Sequence, residues 1–444
     1  MHHPILRWLW LGVLALAIAG FFAIILVVAR TPQLAMLQHL FSVGLVIHVD
    51  LSVLVWFLCI GGLGWTGLLL KYTRPWPYWV GGGFFTIAAA TALIALSPLD
   101  SHWEVIKSNY IPVLNNLPFL AGLGLLAAGL AVVLAPTLAI ALSARRWQLD
   151  NEETLFADAA ITTALALGAF FLAAYLLPAG LPPAERFEQL FWAGGHILQF
   201  TFTLLMMAGW VALARAMGLK PISTSLVRVA SLVAVGAAIK SAFGFWLHPF
   251  DSADFMMFQT RVMIELGGLG AGLLGIVLVA RLAYAMNIDR ARRAYASALV
   301  SSLVLFVAGG VLGLLITGQN VTIPAHYHGA IVGITLALMG YAYVLLPRFG
   351  YAPVAHTRLA FWQPIIYGVG QLLHIGGLAY SGGYGVLRKT PAGESIALAP
   401  DVKAALGVMG MGGLLAIIGG LLFVVVMARA FFSAQGNRDS IRIN

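Results

Sequence analysis

Runs of apolar residues, each about as long as the 20 or so residues a bilayer-spanning helix needs, recur along the whole chain and are separated by short connecting segments. Twelve such runs are read, over 5–29, 40–70, 76–97, 116–143, 155–178, 186–214, 224–248, 255–284, 294–317, 324–346, 359–383 and 404–431. The pattern predicts an all-α membrane protein, a twelve-transmembrane-helix bundle that forms one integral-membrane domain over 1–444 and leaves no soluble domain. The first run is longer than the core of a signal peptide and no small-residue cleavage site follows it, so it is expected to stay as a helix. No low-complexity linker and no repeat of fixed period interrupts the chain.

Composition agrees with that reading. Hydrophobic residues make up 61% of the chain and charged residues 9%, against about a quarter charged in soluble domains. The net charge of +9 raises nucleic acid as a partner, but the placement of the basic residues argues for lipid instead. With the N-terminus in the cytoplasm, 17 of the 25 Lys and Arg fall on the inner side and 7 on the outer, while Lys240 lies within the seventh span. This asymmetry is the positive-inside signal and puts both termini in the cytoplasm. Cys59 is the sole cysteine, which excludes disulfides, Cys-based zinc sites, iron–sulfur clusters and covalent c-type haem attachment. Met206, Met207, Met256 and Met257 read as packing residues.

Candidate chemistry comes from the histidines. In PAHYHGAIVGITLALMGYAYVLLP, His326 and His328 are two residues apart at the mouth of the tenth span. On an α-helix such residues point about 200° apart, so they cannot serve one metal but can serve two. Imidazole is costly against lipid and is a good axial ligand for haem iron, so the pair suggests one helix between two haems. His48 and His196 lie roughly 15 Å or less below the outer surface at 1.5 Å per residue. His248 ends the seventh span and His374 lies in the outer half of the eleventh. Six histidines from five spans thus share one half of the membrane, as a buried cofactor site requires.

A histidine in the second span, one in the sixth, one closing the seventh and His-x-His opening the tenth resemble the catalytic subunit of the haem-copper oxidase superfamily, which comprises cytochrome oxidases and nitric oxide reductase relatives. The resemblance runs over nearly the whole chain. It is best in the last third, where QLLHIGGLAYSGGYGVLRKT (371–390) is similar to the family's helix 11 ending and LLPRFGY (345–351) to the ending after its tenth helix. It implies a low-spin haem ligated by His48 and His328 and a high-spin haem ligated by His326, with its other face open to substrate. It further implies a non-haem metal held by His196 and His248. Imidazole suits both copper and iron, so the ligands do not choose between them. Arg388 and Lys389 would bind haem propionates, with His374 close by. The expected location is a bacterial cytoplasmic membrane.

Two departures bear on the substrate. Where the family has adjacent histidines, this chain has His248-Pro249, so a ligand of the second metal is missing; Gln199 could approach the vacancy or make a helix–helix hydrogen bond. Oxygen-reducing members place a tyrosine near the metal from the sixth or seventh helix, whereas here Phe200 stands at that position and no tyrosine occurs between Tyr175 and Tyr284. The usual glutamate of nitric oxide reductases in the sixth helix is missing too. The expectation is a terminal reductase subunit that reduces NO to N2O, with O2 reduction as the first alternative and a non-catalytic haem electron-transfer subunit as the second. Electrons would enter from a companion subunit on the outer face carrying a c-type haem or a copper centre. Lys240 and Glu265 fall at similar depth in adjacent spans and are expected to pair.

Overall fold

The computed structural model describes residues 3–29, 39–73, 78–100, 102–285, 288–318, 320–384 and 399–441. In chain order the helices are α1 (Pro4–Ala29), α2 (His39–Val49), α3 (Trp56–Tyr72), α4 (Trp79–Leu96), α5 (Leu117–Ala141), α6 (Asn151–Leu176), α7 (Pro183–Ala216), α8 (Thr224–Leu247), α9 (Ala253–Leu266), α10 (Leu269–Ala283), α11 (Arg293–Leu314), α12 (Thr322–Arg348), α13 (Arg358–Gly383) and α14 (Pro400–Ile441). A π-helical turn, Asp50–Val55, joins α2 to α3. Between α4 and α5 the chain makes an antiparallel hairpin of β1 (Val105–Ile106) and β2 (Val113–Leu114), which the all-helical expectation did not contain.

Eleven helical segments of the described residues are long and apolar enough to cross a membrane. The remaining expected span, 359–383, is also a helix, α13, but Arg358, Gln363, Gln371, His374 and Ser381 make it more polar than the eleven. Segment ends follow local chemistry. At α6, Asp150 accepts from the Glu153 amide and Glu153 reaches back to the Asp150 amide, a capping box that starts the helix at Asn151, before the apolar run. Asn116 caps α5 through Phe119 N–H at 3.1 Å, and each such cap contributes about 1 kcal/mol. Pro249 restricts the residue before it, so α8 stops and His248 is extended. The run at 255–284 is two helices, because Gly267 and Gly268 in succession weaken the helical backbone between α9 and α10.

The described residues of Met1–Leu26, His39–Ala208 and Ile222–Val277 form one compact unit; those of Val27–Gln38, Gly209–Pro221 and Leu278–Asn444 form another. Several polar groups inside the first unit are paired between its segments. Trp8 Nε1 donates to Thr66 Oγ1 at 2.8 Å and Trp65 Nε1 to the Phe156 carbonyl at 2.9 Å. Arg146 grips the fully buried Asp158 at 2.5 and 3.1 Å, and Thr162 meets Thr201 at 2.8 Å. In the second unit, Trp210 Nε1 donates to Ser302 Oγ at 2.7 Å, and Ser302 donates to the Gly333 carbonyl at 2.6 Å. There α11 and α12 approach backbone to backbone: a Cβ on Gly329 would lie 2.6 Å from Gly309 Cα. Small residues permit that close crossing.

Candidate functional site

In the first unit, His48 at the end of α2 bonds through Nδ1 to the Ala19 carbonyl of α1 at 2.9 Å. A carbonyl can only accept, so Nδ1 carries the proton and Nε2 the lone pair. The same tautomer recurs in the second unit. His326 Nδ1 bonds to the Gly309 carbonyl at 2.7 Å, His328 Nδ1 to the Pro324 carbonyl at 2.8 Å and His374 Nδ1 to the Met409 carbonyl at 2.9 Å. Imidazoles that ligate metals are held in this way, the outer contact fixing the ring and making the other nitrogen the ligand.

His326 and His328 turn toward different neighbours, as their spacing on α12 demands. The His326 ring lies against α11, where a Cβ on Gly313 would come within 2.6 Å of Nδ1. The His328 ring lies 5.2 Å from that of His374 on α13, tilted by 55°. By type and tautomer each of these imidazoles is suited to haem iron.

The donors expected for a non-haem metal do not fit. His196, 3% exposed on α7, bonds through Nδ1 to the Trp192 carbonyl at 2.8 Å and through Nε2 to the Tyr110 hydroxyl at 2.8 Å. Since Nδ1 is the proton donor, the neutral ring accepts at Nε2 and Tyr110 donates, which leaves neither nitrogen for a metal. His248 is half-buried and its ring lies 5.2 Å from Phe258. The Gln199 side chain makes no hydrogen bond among the described residues; its backbone carbonyl accepts from Thr203 at 2.9 Å. No group of three or more His, Cys, Asp or Glu is arranged to hold a metal ion among the described residues. Arg388 and Lys389 lie outside the described residues.

Tyr110 is the residue that sequence order concealed. Searching 175–284 for a tyrosine misses it, because it comes from the β-hairpin segment 86 positions before His196. Its ring is 4.7 Å from His196 and edge-on to Trp192 at 5.7 Å. Burial, and then the Glu188 carboxylate, push its phenol well above the usual range, so it stays protonated. The signal in the sequence is Gly194-Gly195 before His196: a Cβ on Gly195 would run into the Tyr110 ring, and one on Gly194 into Phe170.

No family model matches the chain. It is 32% identical to the uncharacterised protein RP382 of Rickettsia prowazekii (strain Madrid E), over 97% of this chain and 96% of that protein. It is 26% identical to an uncharacterised protein of Aquifex aeolicus (strain VF5), over 78% of this chain and 85% of that one. Among solved structures it is similar to a chain from a cryo-EM structure of a haem-copper terminal oxidase dimer, with a TM-score of 0.72 and 16% identity over 98% of this chain and 83% of the other. The chain therefore has the fold of a haem-copper terminal oxidase chain and belongs to the family of the Rickettsia protein RP382.

Proposed function

We propose that the chain is the haem-bearing subunit of a respiratory terminal reductase in a bacterial cytoplasmic membrane, crossing it twelve times with both termini inside. The observation that carries this reading is the shared tautomer of His48, His326 and His328, each with Nδ1 held by a backbone carbonyl. His48 and His328 are assigned to a low-spin haem and His326 to a high-spin one. Bound there, the haems would supply electron transfer and an iron open to a diatomic gas. The chain's own part is to hold the ring planes, through α1, α11 and the first turn of α12.

NO reduction to N2O is the first activity to test, since it needs two electrons and no O–O cleavage; O2 reduction is the alternative. Phe200 stands where the resemblance would place a tyrosine for O2 chemistry, yet Tyr110 returns a phenol to His196, so turnover decides between the gases. The second reading is a non-catalytic haem subunit that only wires electrons, and the engagement of both His196 nitrogens favours it. Either way electrons would come from a companion subunit with a c-type haem or copper centre. The test is a reduced-minus-oxidised spectrum of the purified complex, followed by turnover with NO and with O2. Two b-type haems with turnover support the reductase, two haems without turnover support wiring, and no haem ends both.

A further inference from the structure

The geometry points to Tyr110 standing at His196 Nε2 where a non-haem metal would have to bind, so that this chain carries haem without a non-haem metal at His196. The inference deepens the reading of the chain as a haem-bearing subunit and rests on it for the meaning of the His196 position. Metal–imidazole bonds are about 2.0–2.1 Å long, and the phenol oxygen already occupies the lone-pair direction at 2.8 Å. The other nitrogen is committed to the Trp192 carbonyl. A metal at either nitrogen would have to break one of these bonds.

The contact is built from several sides. Glu188, on α7, receives the Asn109 backbone N–H at 3.0 Å and the Asn109 side-chain amide through its other oxygen. That clamp sets the residue before Tyr110 against the helix that carries His196. Gly195 supplies the slot for the ring, and Trp192 closes it edge-on. The Trp192 indole in turn donates to the Met256 carbonyl of α9 at 3.1 Å, fixing the wall of the slot. Ser108 bonds to the Ile111 carbonyl and Asn115 N–H to the Glu104 carbonyl at 2.8 Å, so the hairpin is ordered on both sides of Tyr110. A metal that displaced the phenol would leave a buried hydroxyl without its acceptor.

The experiment compares the haem-loaded complex carrying wild-type chain, Tyr110→Phe or His196→Ala. Each is incubated with Cu(I) or Fe(II) and desalted; iron and copper are then measured by mass spectrometry against haem, and hydrogen exchange is followed over 102–116. Wild type should hold no metal beyond its haem iron, and His196→Ala should not change that. Both variants should speed exchange in the hairpin by roughly five- to tenfold, the effect of one lost buried hydrogen bond. One equivalent of non-haem metal in wild type that His196→Ala removes would overturn the inference, as would unchanged exchange in both variants. A wild-type complex without haem would instead sink the haem reading, and the exchange measurement would still decide whether the Tyr110–His196 bond holds the hairpin.

Discussion

Lys240 Nζ lies 3.0 Å from Glu265 Oε2, an ion pair that ties α8 to α9 within the first unit. The side chains are 45% and 55% exposed, so the pair sits on the protein's surface and not in its interior. In a bilayer a lone Lys costs about 2.5–3.5 kcal/mol at a span centre and less toward its ends, and the partner offsets part of it. Lys240→Met and Glu265→Met should each lower the thermal midpoint of the protein in bilayer discs. The double variant should recover most of the loss; if the three losses simply add, the pair is not coupled.

Neighbouring histidines on α12 should give opposite results. His328→Ala should remove the low-spin bis-imidazole spectrum, and His48→Ala should mimic it. His326→Ala should keep that spectrum and abolish CO binding to the reduced high-spin haem. The same single haem lost in both α12 variants would refute the assignment.

Gly313 leaves room for the His326 ring. A Cβ there would lie 2.6 Å from Nδ1, so Gly313→Val should turn the ring away from the Gly309 carbonyl and cost about 1–3 kcal/mol by overpacking. Haem content with CO difference spectra should show the high-spin haem depleted and the low-spin one retained. Gly310→Val, at a position with nothing within 4 Å of the added Cβ, is the control and should change neither.

Tyr110 predicts a pH dependence. Its phenol is raised above the usual value by burial first and by Glu188 second. The unfolded chain releases this proton near pH 10, whereas the folded protein still holds it, so stability due to the bond is full below that pH and declines as pH rises past it. The stability advantage of wild type over Tyr110→Phe, read from denaturant midpoints, should be constant from neutral pH to about 10 and shrink above it. A gap that is flat to higher pH would contradict the assignment.

Much of this architecture was legible because bilayer spans announce themselves as uninterrupted apolar runs, as at 186–214 and 324–346, which become α7 and α12. Polar chemistry at the ends was less legible: the Asp150–Glu153 capping box starts α6 before its apolar run begins. The histidines proposed for haem could be singled out from spacing and order. What they bond to could not, since Ala19 and Met409 present only backbone carbonyls, which carry no side-chain signal. Tyr110 was hidden for another reason. Its proximity to His196 is a tertiary closure through a short hairpin, and helical periodicity has nothing to say about residues outside a helix.

The π-helical turn Asp50–Val55 makes the second span tolerant of a change in length at one place. A wide turn accommodates an additional residue without breaking the helix. Loss of one residue there would restore ordinary α geometry and leave the two sides in nearly the same phase, whereas loss of one residue from the α-helix on either side would rotate one part relative to the other by about 100°. Trp56, which packs where a Cβ on Gly12 would come within 2.7 Å, and Trp65, bonded to the Phe156 carbonyl, would keep their partners in the first case, as would His48. A single-codon deletion between 50 and 55 would thus be absorbed with His48 and the scaffold still in phase, whereas the same deletion within α3 would set the residues beyond it out of phase.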